Sequence, residues 1–157
     1  MQLEYFQLLD RVTKLDIERK TIVTEAIVPL TSTIFEGHFP GHPLMPGVLL
    51  IESMAQTSGW LLLSISQFRQ MPFLAAVKEA KLRTFVQPGQ TLAIKASVTH
   101  EGSGFAMTKA EIRVDGKLTS NATLTFRQVP FPNNDLRGHM DKVAARIGVP
   151  TPPVHHG

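Results

Sequence analysis

Residues 35–60 read FEGHFPGHPLMPGVLLIESMAQTSGW. A polar turn carrying His38, His42 and three prolines gives way to a run that is apolar on nearly every side, with one carboxylate, Glu52, in its midst. Pro46 suits the first turn of a helix, where its missing N–H leaves no bond unmade, and the helix is expected to run to about Gln67. Its apolar residues (Val48, Leu49, Leu50, Ile51, Met54, Trp60, Leu61, Leu62 and Leu63 among them) do not keep to one stripe. Other parts of the chain must therefore cover it on most sides.

Outward from that helix the chain is β-rich. Upstream, residues 2–8 predict one or two helical turns. Ile22, Thr24, Ala26 and Val28 then alternate with Val23, Glu25 and Ile27 at strand spacing. Residues 31–45 read as loop from their Pro and Gly content. Downstream, PFLAAVKEAKLRTFV, TLAIKASVTHEG, FAMTKAEIRV and KLTSNATLTFRQV are extended segments separated by tight turns, Asp115-Gly116 the clearest. Antiparallel strands follow from such short connections. The expected class is α+β, a long antiparallel sheet curled around one helix, which is the hot-dog arrangement. An exposed helix end or sheet edge would remain for a second subunit, so a dimer at least is expected. Residues 1–130 form the single domain of this reading. Residues 131–157 are an extension, a short helix and then a disordered tail, VPTPPVHHG.

The bulk properties narrow the field. At 157 residues the chain can bury one core without staples, and with no cysteine it can have no disulfide, thiolate-zinc site or thiol nucleophile. A net charge of +3 without a dense Lys/Arg stripe does not point to nucleic acid. Residues 46–68 are the one candidate membrane span, but Glu52, Gln56, Thr57, Ser58 and Gly59 interrupt them, and a span needs about 20 predominantly apolar residues. The first twenty residues are too charged for a secretory leader, and a cytoplasmic protein is expected.

Glu52 is the only charged residue between Pro46 and Gln67. Desolvation penalises its ionised form, and a carboxyl kept protonated near neutral pH can hand a proton to a leaving oxygen. Alternatively its tip escapes to solvent or pairs with a base. Gln56, one turn on, shares its face and can hold the carboxyl by a hydrogen bond. His38 is stiffened by Gly37, Pro40, Gly41 and Pro43, and a neutral imidazole is a competent base; the plainer alternative is a solvated loop residue. His42 lies four residues on, but Pro40, Gly41 and Pro43 forbid the helix that a zinc-binding pair would need, so no metal is expected. Gly47 opens the buried helix, where unpaired N–H groups can stabilise an oxyanion, or else the glycine answers only to tight packing.

The stretch GHFPGHPLMPGVLLIESMAQ closely resembles the signature of the FabZ-type 3-hydroxyacyl-(acyl-carrier-protein) dehydratases, which are hot-dog proteins. YFQLLDRV and VKEAKLRTFVQPGQTL resemble the segments that flank it in that family. The resemblance implies that His38 is the catalytic base and Glu52 its acid partner. It implies that Gly47 supplies an N–H to the thioester carbonyl and that the Leu44 carbonyl orients the imidazole. It further implies a site whose His and acid come from different subunits, dimers that often assemble in threes, and no cofactor beyond the pantetheine arm of the carrier substrate. Where the family often has an Arg-Phe pair and a basic turn, this chain has KLRTFVQPGQ. Lys78, Lys81 and Arg83 either meet an acidic carrier protein or form an ordinary solvated strand face. The extension past Pro130 exceeds the family pattern and leaves open a specialised lipid pathway, with Trp60, Phe73 and Phe85 as expected tunnel walls. Two other classes compete: a hot-dog thioesterase using Glu52 to activate water, and a silent hot-dog that only binds acyl chains or a partner.

Overall fold

The computed structural model describes residues 1–153. Its strands are β1 (Arg11–Asp16), β2 (Thr21–Ile27), β3 (Gln70–Leu82), β4 (Thr91–Gly102), β5 (Phe105–Val114) and β6 (Lys117–Pro130). Its helices are α1 (Thr33–Gly37), α2 (Gly47–Ile65) and α3 (Asn134–Ile147), and a 3-10 turn spans Leu3–Tyr5. All six strands form one antiparallel sheet in the order β1-β2-β4-β5-β6-β3. The α1-α2-β3 excursion carries the chain from β2 across the sheet to its far edge before β4 returns to pair with β2. This is the hot-dog fold, with α2 as the wrapped helix.

Local chemistry sets the strand ends. Asp115 (φ 50°) and Gly116 (φ 76°) take the two positive-φ positions of a tight hairpin, closing the Val114–Lys117 pair. On β2, Ile22, Thr24 and Ala26 are buried and Val28 continues their face just past the strand. That face packs against α2, whose Leu50, Met54, Leu61 and Leu62 are buried. Two hydroxyl pairs fix the helix to the sheet, Thr57 Oγ1 to Thr24 Oγ1 and Ser58 Oγ to Thr108 Oγ1, each at 2.8 Å. Such buried polar groups are tolerated only when bonded, and among the described residues none is left without a partner.

By length and composition α2 is apolar enough to cross a membrane, but its larger part is buried as the core helix of this fold. One stripe stays uncovered. Val48 is 72% exposed, and Ile51, Glu52, Gln56 and Gly59 follow it at helical spacing, only partly buried. The edge strand β3 runs beside this stripe, with Leu82 against Gly47 and Pro72 near Gly59. Its Phe73, Leu74 and Val77 stay exposed.

The structure departs from the sequence reading in two places. Within the expected 31–45 loop, the five-residue α1 forms because Ser32 Oγ accepts from Ile34 N–H at its start and Phe35 is buried beneath it. Glu4 clamps that start, accepting from Ser32 Oγ at 2.7 Å and Thr33 N–H at 3.0 Å. The second departure is at the C-terminus. α3 is capped by Asn133, whose side-chain oxygen accepts from Leu136 N–H, and it stops at Gly148 with φ 85°. Its Ala144 and Ile147 join the core, and so does Val149, which sequence reading placed in the tail. Residues 154–157 of that tail lie outside the described residues.

Candidate active site

The turn after α1 holds His38 by its backbone and by its ring. His38 caps α1, its N–H donating to Ile34 O at 3.0 Å. Leu44 then brackets it: Leu44 N–H donates to His38 O at 3.0 Å, and the Leu44 carbonyl lies 3.0 Å from His38 Nδ1. A carbonyl only accepts, so Nδ1 carries the proton, and in the neutral ring Nε2 is left with a free lone pair. Phe39 and His42 exchange a pair of backbone hydrogen bonds at 2.9 and 3.1 Å, closing the tight Pro/Gly turn, and the Phe39 ring stacks on the imidazole. His42 is exposed.

Pro46 is the N-cap of α2 and Gly47 its first residue, so the Gly47 N–H has no acceptor within the helix and sits at the positive end of its dipole. A Cβ at Gly47 would overlap Leu82 Cδ1. His38, Leu44, Gly47, Leu82, Arg83 and Phe85 line one cavity of about 390 Å³.

Glu52 lines another. Five residues past Gly47 at about 100° per residue, it points about 140° around the helix from that glycine. Burial pushes its pKa up, and a hydrogen bond from Gln56 Nε2 at 3.2 Å partly opposes the shift. The same Gln56 amide donates to Phe6 O at 3.0 Å while its oxygen accepts from Leu8 N–H at 3.4 Å. Gln56 thus staples the N-terminal segment to α2 and positions the carboxyl. This cavity, about 350 Å³, is lined by Glu52 and Gln56 together with Trp60, Leu63, Phe73 and Phe126.

Within one chain, then, the structure brings His38, Leu44 and Gly47 together in one place and Glu52 and Gln56 in another, and the two cavities share no residue. Of the expected tunnel walls, Trp60 and Phe73 belong with Glu52 and Phe85 with His38. Lys78 and Lys81 are exposed on β3 and belong to neither cavity. Arg83, at the rim of the His38 cavity, donates to Asn121 Oδ1 through Nε and Nη2. Sequence reasoning missed Tyr5, Phe6 and Gln7, and His139, Met140, Val143 and Arg146 of α3, all of which line the Glu52 cavity. The signal for the α3 set was its spacing of one, four and seven residues, which puts all four on one helical face. Among the described residues no group of three or more His, Asp or Glu is placed to hold a metal ion.

Known proteins share this sequence and this fold. The family model of the FabA-like domain matches residues 1–123. A 3-hydroxyacyl-(acyl-carrier-protein) dehydratase FabZ of Ligilactobacillus salivarius is 38% identical over 120 residues, 76% of this chain and 85% of that protein. Among solved structures, a conserved protein from Pseudomonas aeruginosa superposes with a TM-score of 0.63 at 22% identity, covering 80% of this chain and 91% of the other. A dehydratase heterocomplex from Xenorhabdus doucetiae gives 0.54 at 22%, covering 69% and 88%. At such identities the superpositions establish the fold alone, and a hypothetical thioesterase of Streptococcus pneumoniae shares it too.

Proposed function

This chain belongs to the FabA-like family, in its FabZ-type branch, and on that premise we propose that it removes water from a (3R)-3-hydroxyacyl thioester on acyl carrier protein, leaving the trans-2-enoyl thioester during fatty acid biosynthesis. The observation that carries the reading is the pairing of opposite tendencies in two side chains. His38 has Nδ1 committed to Leu44 O and Nε2 free to accept a proton, while burial favours the protonated, donating form of Glu52.

The steps follow from those tendencies. Gly47 N–H donates to the thioester carbonyl and acidifies the α carbon. His38 Nε2 takes the α proton, the C–O bond at the β carbon breaks, and Glu52 gives the departing hydroxyl its proton. The product is water, and transfer of the proton from the imidazolium to the Glu52 carboxylate restores both groups. Hydration level changes but net oxidation level does not, so the chemistry asks for no redox partner; the pantetheine arm arrives with the substrate.

That His38 and Glu52 open into separate cavities supports a complete site formed by two copies of the chain, His38 of one facing Glu52 of the other. The surface needed for that is the uncovered stripe of α2 with the unpaired edge of β3, and an exposed apolar patch beside an open strand edge is what a second subunit covers. Lys78 and Lys81, exposed on β3, and Arg83, at the rim of the His38 cavity, attract the acidic carrier protein in the cytoplasm, at long range and weakened by salt. Incubating the purified protein with 3-hydroxyacyl carrier thioesters tests the proposal: reversible formation of the enoyl thioester supports it, release of free carrier thiol indicates a thioesterase, and neither reaction leaves an acyl-binding protein.

A further inference from the structure

The Glu52 cavity has a wall that lies beyond the family match, which ends at residue 123. α3 presents Met140 and Val143 to this cavity, flanked by His139 and Arg146, and these face the same space as Trp60 and Leu63 of α2. We propose that α3 forms one side of the acyl channel, with Met140 and Val143 in contact with the aliphatic chain beyond its reacting carbons, so that this pair sets which chain lengths are accepted. The proposal rests on the dehydratase reading for its substrate, and on three observations of its own.

The first is that α3 is fixed at both ends and does not merely trail from the sheet. Near its start, Arg137 Nη1 donates to Phe68 O at 3.0 Å, and the guanidinium lies 5.3 Å from the centre of the Phe68 ring and 5.7 Å from that of Phe131. Near its end, Arg146 Nη1 donates to Gln7 Oε1 at 3.0 Å, tying the helix to the segment that Gln56 holds beside Glu52. A wall can discriminate lengths only if it does not yield. The second is the helix face itself. Ala144 and Ile147 are buried within the core, whereas Met140 and Val143, packed against it, are only partly buried and line the open cavity. The third is chemical: an unbranched thioether beside a β-branched methyl pair offers apolar contact without a hydrogen-bonding group, which suits a methylene chain.

The test compares 3-hydroxybutyryl and 3-hydroxydodecanoyl carrier thioesters as substrates, with calorimetric binding of the non-reacting butyl and dodecyl pantetheine thioethers measured in parallel. Each methylene excluded from an apolar site loses about four-fold in affinity, so Val143→Trp, by denying room for two, is expected to cut the long-to-short preference about fifteen-fold. Met140→Ala, which removes bulk and keeps the helix, is expected to move the preference the other way and serves should the tryptophan variant fail to fold. A preference identical to wild type in Met140→Ala, or a loss equal for both lengths in Val143→Trp, overturns the role of α3. Should wild type turn over neither substrate while its variants still shift thioether binding, the dehydratase reading falls and the wall stands.

Discussion

Leu44 holds His38 twice, its N–H on the His38 carbonyl and its own carbonyl on Nδ1 of the ring, both at 3.0 Å. The seven residues from His38 to Leu44, stiffened by Pro40 and Pro43, close back on themselves to make that bracket. The ring can then neither flip nor lend Nδ1 to chemistry, and Nε2 is the only basic atom it offers. His38→Ala should therefore lower kcat by about 10²–10⁴-fold, the usual contribution of a positioned general base, with little change in melting temperature. Steady-state assay with parallel thermal melts reads both; an active His38→Ala variant would remove the imidazole from the reaction.

Glu52 makes a stability prediction with a definite sign. Burial raises its folded-state pKa above the ordinary carboxyl value. Its favourable contribution is therefore complete below that ordinary value and is lost as pH climbs through the folded pKa. Glu52→Gln, neutral at every pH, should be inactive yet more stable than wild type at neutral pH, the advantage closing in acid. A second subunit over this face would exclude more water and widen the gap. Melting temperature against pH decides it, and a gap that opened in acid instead would reverse the assigned environment.

Gln56 links that carboxyl to the N-terminal segment. Gln56→Ala frees Phe6 O and Leu8 N–H and unlatches Glu52, which should cost about 1–3 kcal/mol of stability. Because the Gln56 amide favours ionised Glu52, its loss should also raise the Glu52 pKa. The activity that depends on protonated Glu52 would then persist to higher pH than in wild type. A pH–rate profile unmoved by the substitution would mean Gln56 only packs.

Gly47 separates packing from catalysis. A Cβ there meets Leu82 Cδ1, and overpacking of this sort typically costs about 1–3 kcal/mol. Trimming the obstruction in Gly47→Ala/Leu82→Ala should restore stability. Activity should stay low, because the methyl group still stands between the helix N–H and a thioester carbonyl. Recovery of both in the double variant would make Gly47 a packing residue alone.

Much of this was legible in the chain itself. Pro46 followed by an apolar run with no single stripe announces a wrapped helix, and Asp115-Gly116 announces its hairpin, because both signals are local. α1 was not legible, since a five-residue helix among Pro and Gly depends on Glu4, nearly thirty residues away, to hold Ser32 and Thr33. The amphipathic spacing of α3 is readable, but its destination is not: the contacts of Arg137 with Phe68 and of Arg146 with Gln7 join residues 69 and 139 positions apart. The divergence of Glu52 from Gly47 follows from helix geometry alone, and it supports the two-chain site proposed above.

That two-chain site is tested most directly by mixing two inactive proteins. His38→Ala and Glu52→Gln, co-expressed so that chains exchange freely, should form mixed dimers in which one site unites the intact His38 of one chain with the intact Glu52 of the other. With half of the dimers mixed and one of two sites whole in each, dehydration of a 3-hydroxyacyl carrier thioester should return to about a quarter of the wild-type rate. A mixture as inactive as its parents, with mixed dimers demonstrably present, would contradict the shared site.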